Sequence, residues 1–435
     1  MTLFRPHPIP ISLALQGGGA HGAFTWGVLD ALLEDGRFPI TAVSATSAGA
    51  MNAVALAHGL CAGGVAGARE ALAKFWQAVG TSVSFDGLLV GSADSPGFAP
   101  PTRLFMHWAS LLSPRQLNPL GLNPLRQLLA DQIDFERLRH PDALRLYIAA
   151  THANSGRLRL FVNADLSVDA VLASACLPSL QHAVMIDGEP WWDGGYSANP
   201  ALFPLVRNGV PDLLIVMLSP LVYAEVPTGA EEIRARALEF TFNASFLREA
   251  TLLSESCATA RSSLWPFGLL ERRLVRLRTH LIDSEEVLSR LTQESRLIAH
   301  LPFLESLRDL GRDRARRWLA TAATHVGRRS SADLTSLVRS PRRQTARVES
   351  ATGPTFRRPA SFFRPAQLAA LLKHESPAPG QALATCIAGA ISWKSSTTTT
   401  SCCCRASAAC KAAPSAIPRS SSAAGASRCR WCRRT

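Results

Sequence analysis

The sequence predicts an α/β fold with a parallel sheet, mainly from segments near its N-terminus. Residues 11–16 (ISLALQ) and 38–45 (FPITAVSA) are short apolar runs typical of buried strands. Between them, a glycine cluster at 17–22 leads into helical periodicity, and the chain from Ser47 onward is again helical. Strand, helix, strand and helix at this spacing predict a right-handed βαβ unit, which implies parallel strands.

Later segments add strands and helices to this unit. They are predicted from periodicity and turn residues: a hairpin at 144–166, a short helix at 167–180 ended by Pro178, a second hairpin at 184–196, a strand at 212–218, helices from about 229, a late strand at 277–283 and, at 303–327, two helices or one helix broken near Gly311.

The segment 81–122 differs from its surroundings because it is rich in Pro and Gly and carries Phe, Met, Trp and Leu. Two interpretations stay open at this point. It is either a lid or apolar cap over a site, or an irregular loop packed on the core.

Charge divides the chain into a neutral body and a basic tail. The 435 residues carry a net charge of +13, but residues 336–435 hold sixteen Lys and Arg and two acids, whereas residues 1–335 are close to neutral. The tail lacks periodicity, which predicts disorder or a shifted reading frame. We expect an extension at 1–10, one domain over 11–335 with a helical part from about 229 to 335, and no nucleic-acid binding by the body.

Neither a signal peptide nor a transmembrane helix is predicted. The most apolar stretch, 48–68, is interrupted by Asn52 and His58 and is expected to be a buried helix followed by a loop. Isolated cysteines in the body favour a reducing compartment: Cys61, Cys176 and Cys257. The sequence therefore favours a cytoplasmic protein that is at most peripheral to a membrane.

The glycine loop QGGGAHGAF has two interpretations. Gly17, Gly19 and Gly22 fit the G-x-G-x-x-G pattern of dinucleotide-binding proteins, but that function needs an acid at the end of the second strand, where the sequence reads AVSATSAG. The alternative is an oxyanion hole, in which the backbone N–H groups of Gly18 and Gly19 face a developing negative charge.

Ser47 stands where a nucleophile elbow would place it, on a sharp turn between strand and helix. The turn needs small neighbours, and Ala45, Ala48 and Gly49 provide them. A serine that merely caps the helix is an equally good interpretation of this segment alone.

No histidine of the sequence lies in a context that identifies it as the base for such a serine. Asp193 in WWDGGYSANP precedes Gly194 and Gly195, which allow the backbone to bring a carboxylate close to another loop. A desolvated carboxylate with a raised pKa can accept a serine proton. Asp187 competes with Asp193 for this role, although Asp187-Gly188 is typical of a hairpin turn.

Together, GGGAHG at 17–22, ATSAG at 45–49 and DGG at 193–195 resemble the motifs of the patatin-like phospholipases, a family of bacterial serine lipid acyl hydrolases, over roughly residues 10–335. The resemblance implies a three-layer α/β sandwich with a mostly parallel central sheet flanked by helices. It also implies ester hydrolysis by a Ser47–Asp193 pair without histidine, with the loop of Gly17, Gly18 and Gly19 as the oxyanion hole. It implies no cofactor and no metal.

The resemblance also predicts the substrate and contact with a membrane, and the sequence departs from the family pattern at two positions. The implied substrate is a lipid or phospholipid, and the apolar segment 81–122 suits an acyl-chain pocket or transient contact with a membrane surface. His21 stands where Arg or Lys is usual, and Ala45 replaces a glycine. Asn199-Pro200 is expected to fix the loop after Asp193. A catalytically impaired, lipid-binding relative and a nucleotide-binding protein are the competing hypotheses.

Overall fold

An eight-stranded, mostly parallel sheet is the centre of the fold. The computed structural model describes residues 8–335 except 86, 224, 264, 266 and 267, so the predicted tail and most of the predicted N-terminal extension lie outside the described residues. The strands of this sheet are β1 Ile11–Leu15, β2 Ile40–Ala45, β5 Arg145–His152, β6 Leu158–Val162, β7 Val184–Ile186, β8 Glu189–Asp193, β9 Asp212–Met217 and β10 Arg278–Asp283. The strands β3 Leu89–Ser92 and β4 Ser95–Phe98 form a separate two-stranded hairpin.

The strand order is β10-β9-β1-β2-β5-β8-β7, and β6 also pairs with β5. The pairs among β10, β9, β1, β2 and β5 are parallel, whereas β6, β7 and β8 pair antiparallel. The predicted parallel βαβ unit and the predicted hairpins at 144–166 and 184–196 are therefore confirmed.

Helices cover both faces of the sheet. They are α1 Gly22–Asp35, α2 Ala48–Thr81, α3 Pro100–Ala109, α4 Pro114–Leu117, α5 Pro124–Gln132, α6 Phe135–Arg139, α7 Val168–Ser174, α8 Phe203–Asn208, α9 Ala230–Ser262, α10 Leu269–Arg276, α11 Glu285–Leu288 and α12 Leu301–Ala320.

The pleat of the strands separates two apolar cores, one on each face of the sheet. In β1, Leu13 and Leu15 join the core that contains α1, α2 and α12, whereas Ala14 joins the core that contains α8, α9 and α10. Because successive strand residues point to opposite faces, one strand contributes to both cores. The result is the three-layer α/β sandwich that the resemblance implies.

The helix α12 corrects one prediction, because it runs through Gly311 without a break. A Cβ atom at Gly311 would collide with the carbonyl oxygen of Phe24 in α1, and a Cβ atom at Gly27 would collide with that of Arg308 in α12. The two glycines therefore allow α1 and α12 to pack with their backbones in contact.

Two further boundaries differ from the predictions. The helix α7 ends at Ser174, four residues before Pro178. The helix α2 continues beyond the predicted loop to Thr81, with non-helical backbone angles only at Gly63 and Gly64. By length and composition α2 is long and apolar enough to cross a membrane, but 61% of its most apolar window is buried inside the fold, as in the core helix of a soluble protein.

The segment 81–122 is not an irregular loop. It forms the β3–β4 hairpin and the helices α3 and α4, and no residue of α3 is buried. Of the two interpretations open from the sequence, the structure excludes the irregular packed loop, because the segment is regular and its apolar side chains are largely exposed.

Candidate active site

The register of the sheet brings the segments around Ser47 and Asp193 together. Along β5, Ile148 pairs with Ala45 of β2 and Ala150 pairs with Asp193 of β8. Since β6 occupies the other edge of β5 at these positions, β2 and β8 must lie end to end along one edge. Ser47 follows the end of β2 by two residues, so the sheet places it beside the last residue of β8.

Ser47 has a strained backbone at the start of α2. Its φ of 55° and ψ of −123° lie outside the regions that ordinary L-residues favour. It makes no side-chain capping bond to the helix, and its N–H donates to Ser174 Oγ at 2.9 Å. The Ser47 hydroxyl instead lies near enough to the Asp193 carboxyl to stabilise its ionised form, which opposes the effect of burial on the pKa of Asp193. The helix-capping interpretation is therefore not supported, and strain of this kind is common at functional sites.

Small residues allow the turn to close on the strands. A Cβ atom at Gly49 would lie 2.5 Å from the Leu15 carbonyl oxygen, and one at Gly22 would lie 2.6 Å from the Ala48 Cβ. Both distances are shorter than real carbon contacts permit, so only glycine fits at these two positions.

Ala45 does not need to be glycine. In the described part of the chain, Ser47 and Asp187 are the non-glycine residues with positive φ, so the Ala45 backbone lies in a region that alanine adopts freely. The Ala45 methyl group is buried in the core that contains α1 and α2. The departure of ATSAG from the family pattern therefore introduces no backbone strain at this position.

Asp193 is buried, with 2% of its surface exposed. Burial raises the pKa of its carboxyl from the ordinary 3.8 to about 7, against the opposing effects of the Gly195 N–H and the Ser47 hydroxyl, which both stabilise the carboxylate. The Gly195 N–H donates to Asp193 Oδ1 at 2.7 Å. The carboxyl can therefore change its protonation state near neutral pH while its position stays fixed.

The loop after Asp193 depends on its glycines. A Cβ atom at Gly194 would collide with the Ala149 carbonyl oxygen, so the turn can pass over β5 only with glycine there. The Thr151 hydroxyl fixes the same turn by donating to the Asp193 carbonyl at 2.8 Å. Asp187, the competing carboxylate, is exposed with φ 54° in the β7–β8 turn, as expected of a hairpin residue.

The glycine loop lies against Ser47. A Cβ atom at Gly17 would lie 2.8 Å from the Ser47 Cβ, and the Gly17 N–H donates to Asn199 Oδ1 at 2.8 Å. Asn199 thus ties the loop after Asp193 to the glycine loop. Because the Gly17 N–H is occupied, Gly17 is not a free oxyanion donor. Among the described residues, no acceptor takes the N–H of Gly18 or Gly19.

His21 contributes no positive charge at the loop. Burial, and next the nearby Arg296 guanidinium, lower its pKa to about 3, so the ring is neutral at physiological pH. His21 Nε2 lies 2.7 Å from Ser295 Oγ, and the ring packs edge-on against Phe303. His21 is therefore part of the packing beneath the loop and does not replace the usual Arg or Lys as a cation.

Two residues that hold the site were not found from the sequence. Ser174, at the end of α7, accepts the Ser47 N–H across a separation of 127 residues. Arg296 places its carbonyl oxygen against Gly19, where a Cβ atom would collide with it. Neither residue belongs to a recognisable motif, so nothing in the sequence identifies either one.

We expect Gly19→Ala to lower ester hydrolysis by about 10²-fold, the usual effect of disturbing an oxyanion donor. The new methyl group meets both an unfavourable φ of 60° and the Arg296 carbonyl. Gly36→Ala is the matched control, because Gly36 has φ 71° but no neighbour within 4 Å of a Cβ atom. Steady-state rates on a soluble ester, with thermal melts of both variants, check this. Equal rates for the two variants would show that the loop geometry does not matter.

An apolar groove of about 600 Å³ lies beside α3. It is lined by Phe85, Leu88, Phe98, Pro101, Thr102, Phe105, Met106, Leu180 and Leu297. Leu297 follows Arg296, which touches the glycine loop. The groove therefore reaches from α3 towards the glycine-loop side of the site.

Neither a histidine partner for Ser47 nor a metal-binding cluster occurs among the described residues. None of the described histidines hydrogen-bonds Ser47. Within the same part of the chain, no group of three or more His, Cys, Asp and Glu side chains is placed to hold a metal ion.

Comparisons with known proteins agree with the motifs. The model of the family described as patatin-like phospholipase matches residues 13–206, which include Ser47 and Asp193. No curated protein matches the chain.

Solved structures show remote similarity. VipD from Legionella pneumophila is 17% identical, over 72% of this chain and 67% of that chain, with a TM-score of 0.33. Full-length ExoU in complex with full-length SpcU, from the type III secretion system of Pseudomonas aeruginosa, is 18% identical over 74% of this chain and 80% of that chain, with a TM-score of 0.21. A second structure of the heterodimeric ExoU–SpcU complex has the same identity, with 74% and 78% covered and the same TM-score.

Proposed function

We propose that this chain, whose residues 13–206 belong to the patatin-like phospholipase family, is a serine hydrolase that cleaves acyl ester bonds of phospholipids or related lipids. Family membership supports lipid acyl hydrolase activity in general. The finer proposal assigns the reaction to Ser47, Asp193 and the glycine loop. The observation that carries it is that the sheet brings Ser47, on a strained turn, beside the buried Asp193 carboxyl, whose ionised form the Ser47 hydroxyl stabilises.

In the first half of the proposed reaction, Ser47 becomes acylated. The Asp193 carboxylate accepts the Ser47 hydroxyl proton while Ser47 Oγ attacks the ester carbonyl carbon. The carbonyl oxygen becomes negative and accepts hydrogen bonds from the free N–H groups of Gly18 and Gly19. The tetrahedral intermediate then breaks its bond to the alcohol oxygen, which takes the proton from Asp193 and leaves.

In the second half, water regenerates the serine. Asp193 accepts a proton from water as the hydroxide oxygen attacks the acyl carbon, and the same two N–H groups stabilise the second oxyanion. The intermediate then breaks its bond to Ser47 Oγ, which receives the proton from Asp193, and the fatty acid leaves. A pKa of about 7 suits both steps, since the same carboxyl must accept and return a proton near neutral pH.

A fluorophosphonate probe tests the proposal directly, because it forms a covalent bond only with an activated serine. We expect the full chain to gain one phosphonyl group on the peptide containing Ser47, as the new O–P bond replaces the P–F bond and hydrogen fluoride leaves, together with release of fatty acid from phospholipid or p-nitrophenyl ester. Labelling without any turnover would favour the impaired, lipid-binding alternative. Absence of labelling would refute the proposed nucleophile, and a thermal shift with a dinucleotide would revive nucleotide binding.

A further inference from the structure

The outer face of α3 is apolar and exposed. Leu104, Phe105 and Trp108 of the helix and Leu111 and Leu112 of the following turn share this face by their spacing, and we call these five residues the docking face. Phe105, Trp108 and Leu111 are 66%, 63% and 67% exposed. A contiguous apolar surface of this kind marks an interaction site on a soluble fold.

The opposite face of α3 packs on the protein. It presents Thr102, Met106 and Ala109, which are half-buried, and Thr102 and Met106 line the apolar groove. The helix therefore directs one side to the groove and the side with Leu104 and Trp108 to the solvent, with Phe105 at the edge that lines the groove as well. This is the reverse of the usual orientation of a surface helix, whose apolar side faces the core.

The sequence around the docking face contains basic residues and no acid. Residues 95–130 contain three arginines and no acid. Arg103 and Arg126 pair with Glu294 and Asp169, while Arg115 is exposed and forms no ion pair with any described residue. An apolar face with Trp and with no carboxylate among its neighbours in sequence is typical of helices that lie in the interface of a membrane.

Hydrogen bonds connect the segment that carries the docking face to the proposed catalytic site. His182 Nε2 is 3.1 Å from the Pro114 carbonyl oxygen of α4, and the Cys176 thiol donates to the His182 carbonyl at 3.0 Å. The Cys176 carbonyl in turn accepts the Asp193 N–H at 2.8 Å. Three hydrogen-bonded contacts thus join the segment that carries the docking face to the proposed base.

We propose that the docking face inserts into the surface of an anionic phospholipid bilayer, with α3 parallel to the membrane plane. The inference rests on the proposed function in one respect, namely that the groove behind α3 then receives an acyl chain directly from the bilayer. A second copy of this chain is the other occupant that an apolar face can have, but a lipid surface also accounts for the exposed Arg115 and for the lack of acids in the sequence around the face.

Vesicle flotation of the full chain tests this, with Ser47→Ala present in every protein so that catalysis plays no part. The vesicles contain about 30% phosphatidylglycerol in phosphatidylcholine. We expect Trp108→Ser/Leu111→Ser to lower the ratio of bound to free protein about ten-fold or more, because two interfacial anchors are lost. The matched control Val226→Ser/Leu252→Ser removes side chains that are 85% and 65% exposed elsewhere, and should bind within two-fold of the parent.

Salt and oligomeric state separate the competing explanations. At 0.5 M salt the Debye length is roughly 4 Å, which suppresses attraction of the basic residues 336–435 but not apolar insertion. Flotation that is lost in salt and unaffected by Trp108→Ser/Leu111→Ser would overturn the proposal. So would a dimer that dissociates in that variant without any flotation. Circular dichroism melts that match the parent's are required of both variants.

The two proposals fail in different ways. Flotation of the Ser47→Ala chain with no hydrolysis by the unsubstituted chain would support docking and refute the proposed function. Labelling and turnover of a soluble ester without flotation would refute docking alone.

Discussion

Ser47→Ala is expected to lower ester hydrolysis by about 10³-fold or more, the scale of loss when a serine nucleophile is removed. The reason is chemical, because alanine retains the fold but has no oxygen to form the acyl-enzyme. Initial rates on p-nitrophenyl esters and on phospholipid vesicles, with fluorophosphonate labelling, measure the effect. We expect the loss in kcat, since the interaction removed is with the reacting carbon.

Ser44→Ala is the matched control for this variant. Ser44 precedes Ser47 on β2, is fully buried, and its hydroxyl has no hydrogen-bond partner among the described residues. Removing that hydroxyl should leave the rate within about two-fold and should not destabilise the fold. If Ser44→Ala and Ser47→Ala lose activity equally, the loss comes from the strand and not from the nucleophile.

Ser47→Gly separates the chemistry from the backbone strain. Glycine adopts φ near 55° readily, whereas alanine does not, so Ser47→Gly should be more stable than Ser47→Ala by about 1 kcal/mol. Both variants should be equally inactive. Activity retained in either one would mean that another group attacks the ester.

The sequence identifies Ser47 and Asp193, the two proposed reacting residues, better than it identifies the residues that hold them in place. Ser47 and Asp193 are each marked by glycines, and glycines are informative here because a Cβ atom at Gly49 or Gly194 would overlap the backbone of a strand. Such overlaps leave a pattern of small residues that is readable without a structure. The register of β5 with β2 and β8, which brings the two residues together, is set by long-range pairing and is not readable in this way.

A residue that holds the site through a single hydrogen bond leaves no such pattern in the sequence. Ser174 is one serine among many in the chain, and only the fold shows that it accepts the Ser47 N–H. Gly311 illustrates the opposite error, since a glycine inside a helical pattern can mark a break or a close approach of another helix. The contact between Gly311 and the Phe24 carbonyl decides for close approach, and this contact depends on α1, almost 300 residues away.

Asp193→Asn is expected to lower hydrolysis by about 10³-fold while leaving the site in place. The amide oxygen can still accept the Gly195 N–H, but it cannot take the serine proton. Asp187→Asn is the matched control, since Asp187 is exposed in a turn where asparagine tolerates positive φ. Rates of both variants on one soluble ester check the prediction. Comparable losses at the two positions would contradict the assignment of the base.

The activity of the unsubstituted chain should depend on pH as expected if Asp193 is the base. Burial raises the pKa of Asp193 to about 7, and the carboxylate is the active form, so kcat/KM should rise as the pH increases through about 7. The residual activity of Asp193→Asn should not show this rise with pH. A profile that is flat between pH 6 and 8 would mean that no group with this pKa acts as the base.

The raised pKa of Asp193 also predicts how the stability of the fold depends on pH. As the pH increases towards 7, stability should fall whereas activity should rise. Asp193 binds its proton more tightly in the folded chain, where its pKa is about 7, than in the unfolded chain, where it has the ordinary 3.8. Folding is therefore favoured by protonation below about 3.8, and this contribution is lost as the pH rises to about 7. Asp193→Asn has no such dependence. Its melting temperature should exceed that of the parent by a margin that grows from pH 5 to pH 8, reaching about 2–4 °C or more.

Loss of activity together with gain of stability would distinguish a catalytic carboxylate from a structural one. A buried aspartate that only stabilised the fold would be paired with a cation and would have a lowered pKa, as Asp212 does beside Arg278 and His280. Replacing such a residue destabilises the protein. Within the described residues, only the Gly195 N–H and the Ser47 hydroxyl stabilise the Asp193 carboxylate, so its charge is poorly compensated. A melting temperature of Asp193→Asn below that of the parent at pH 8 would therefore assign Asp193 to the structure instead of the reaction.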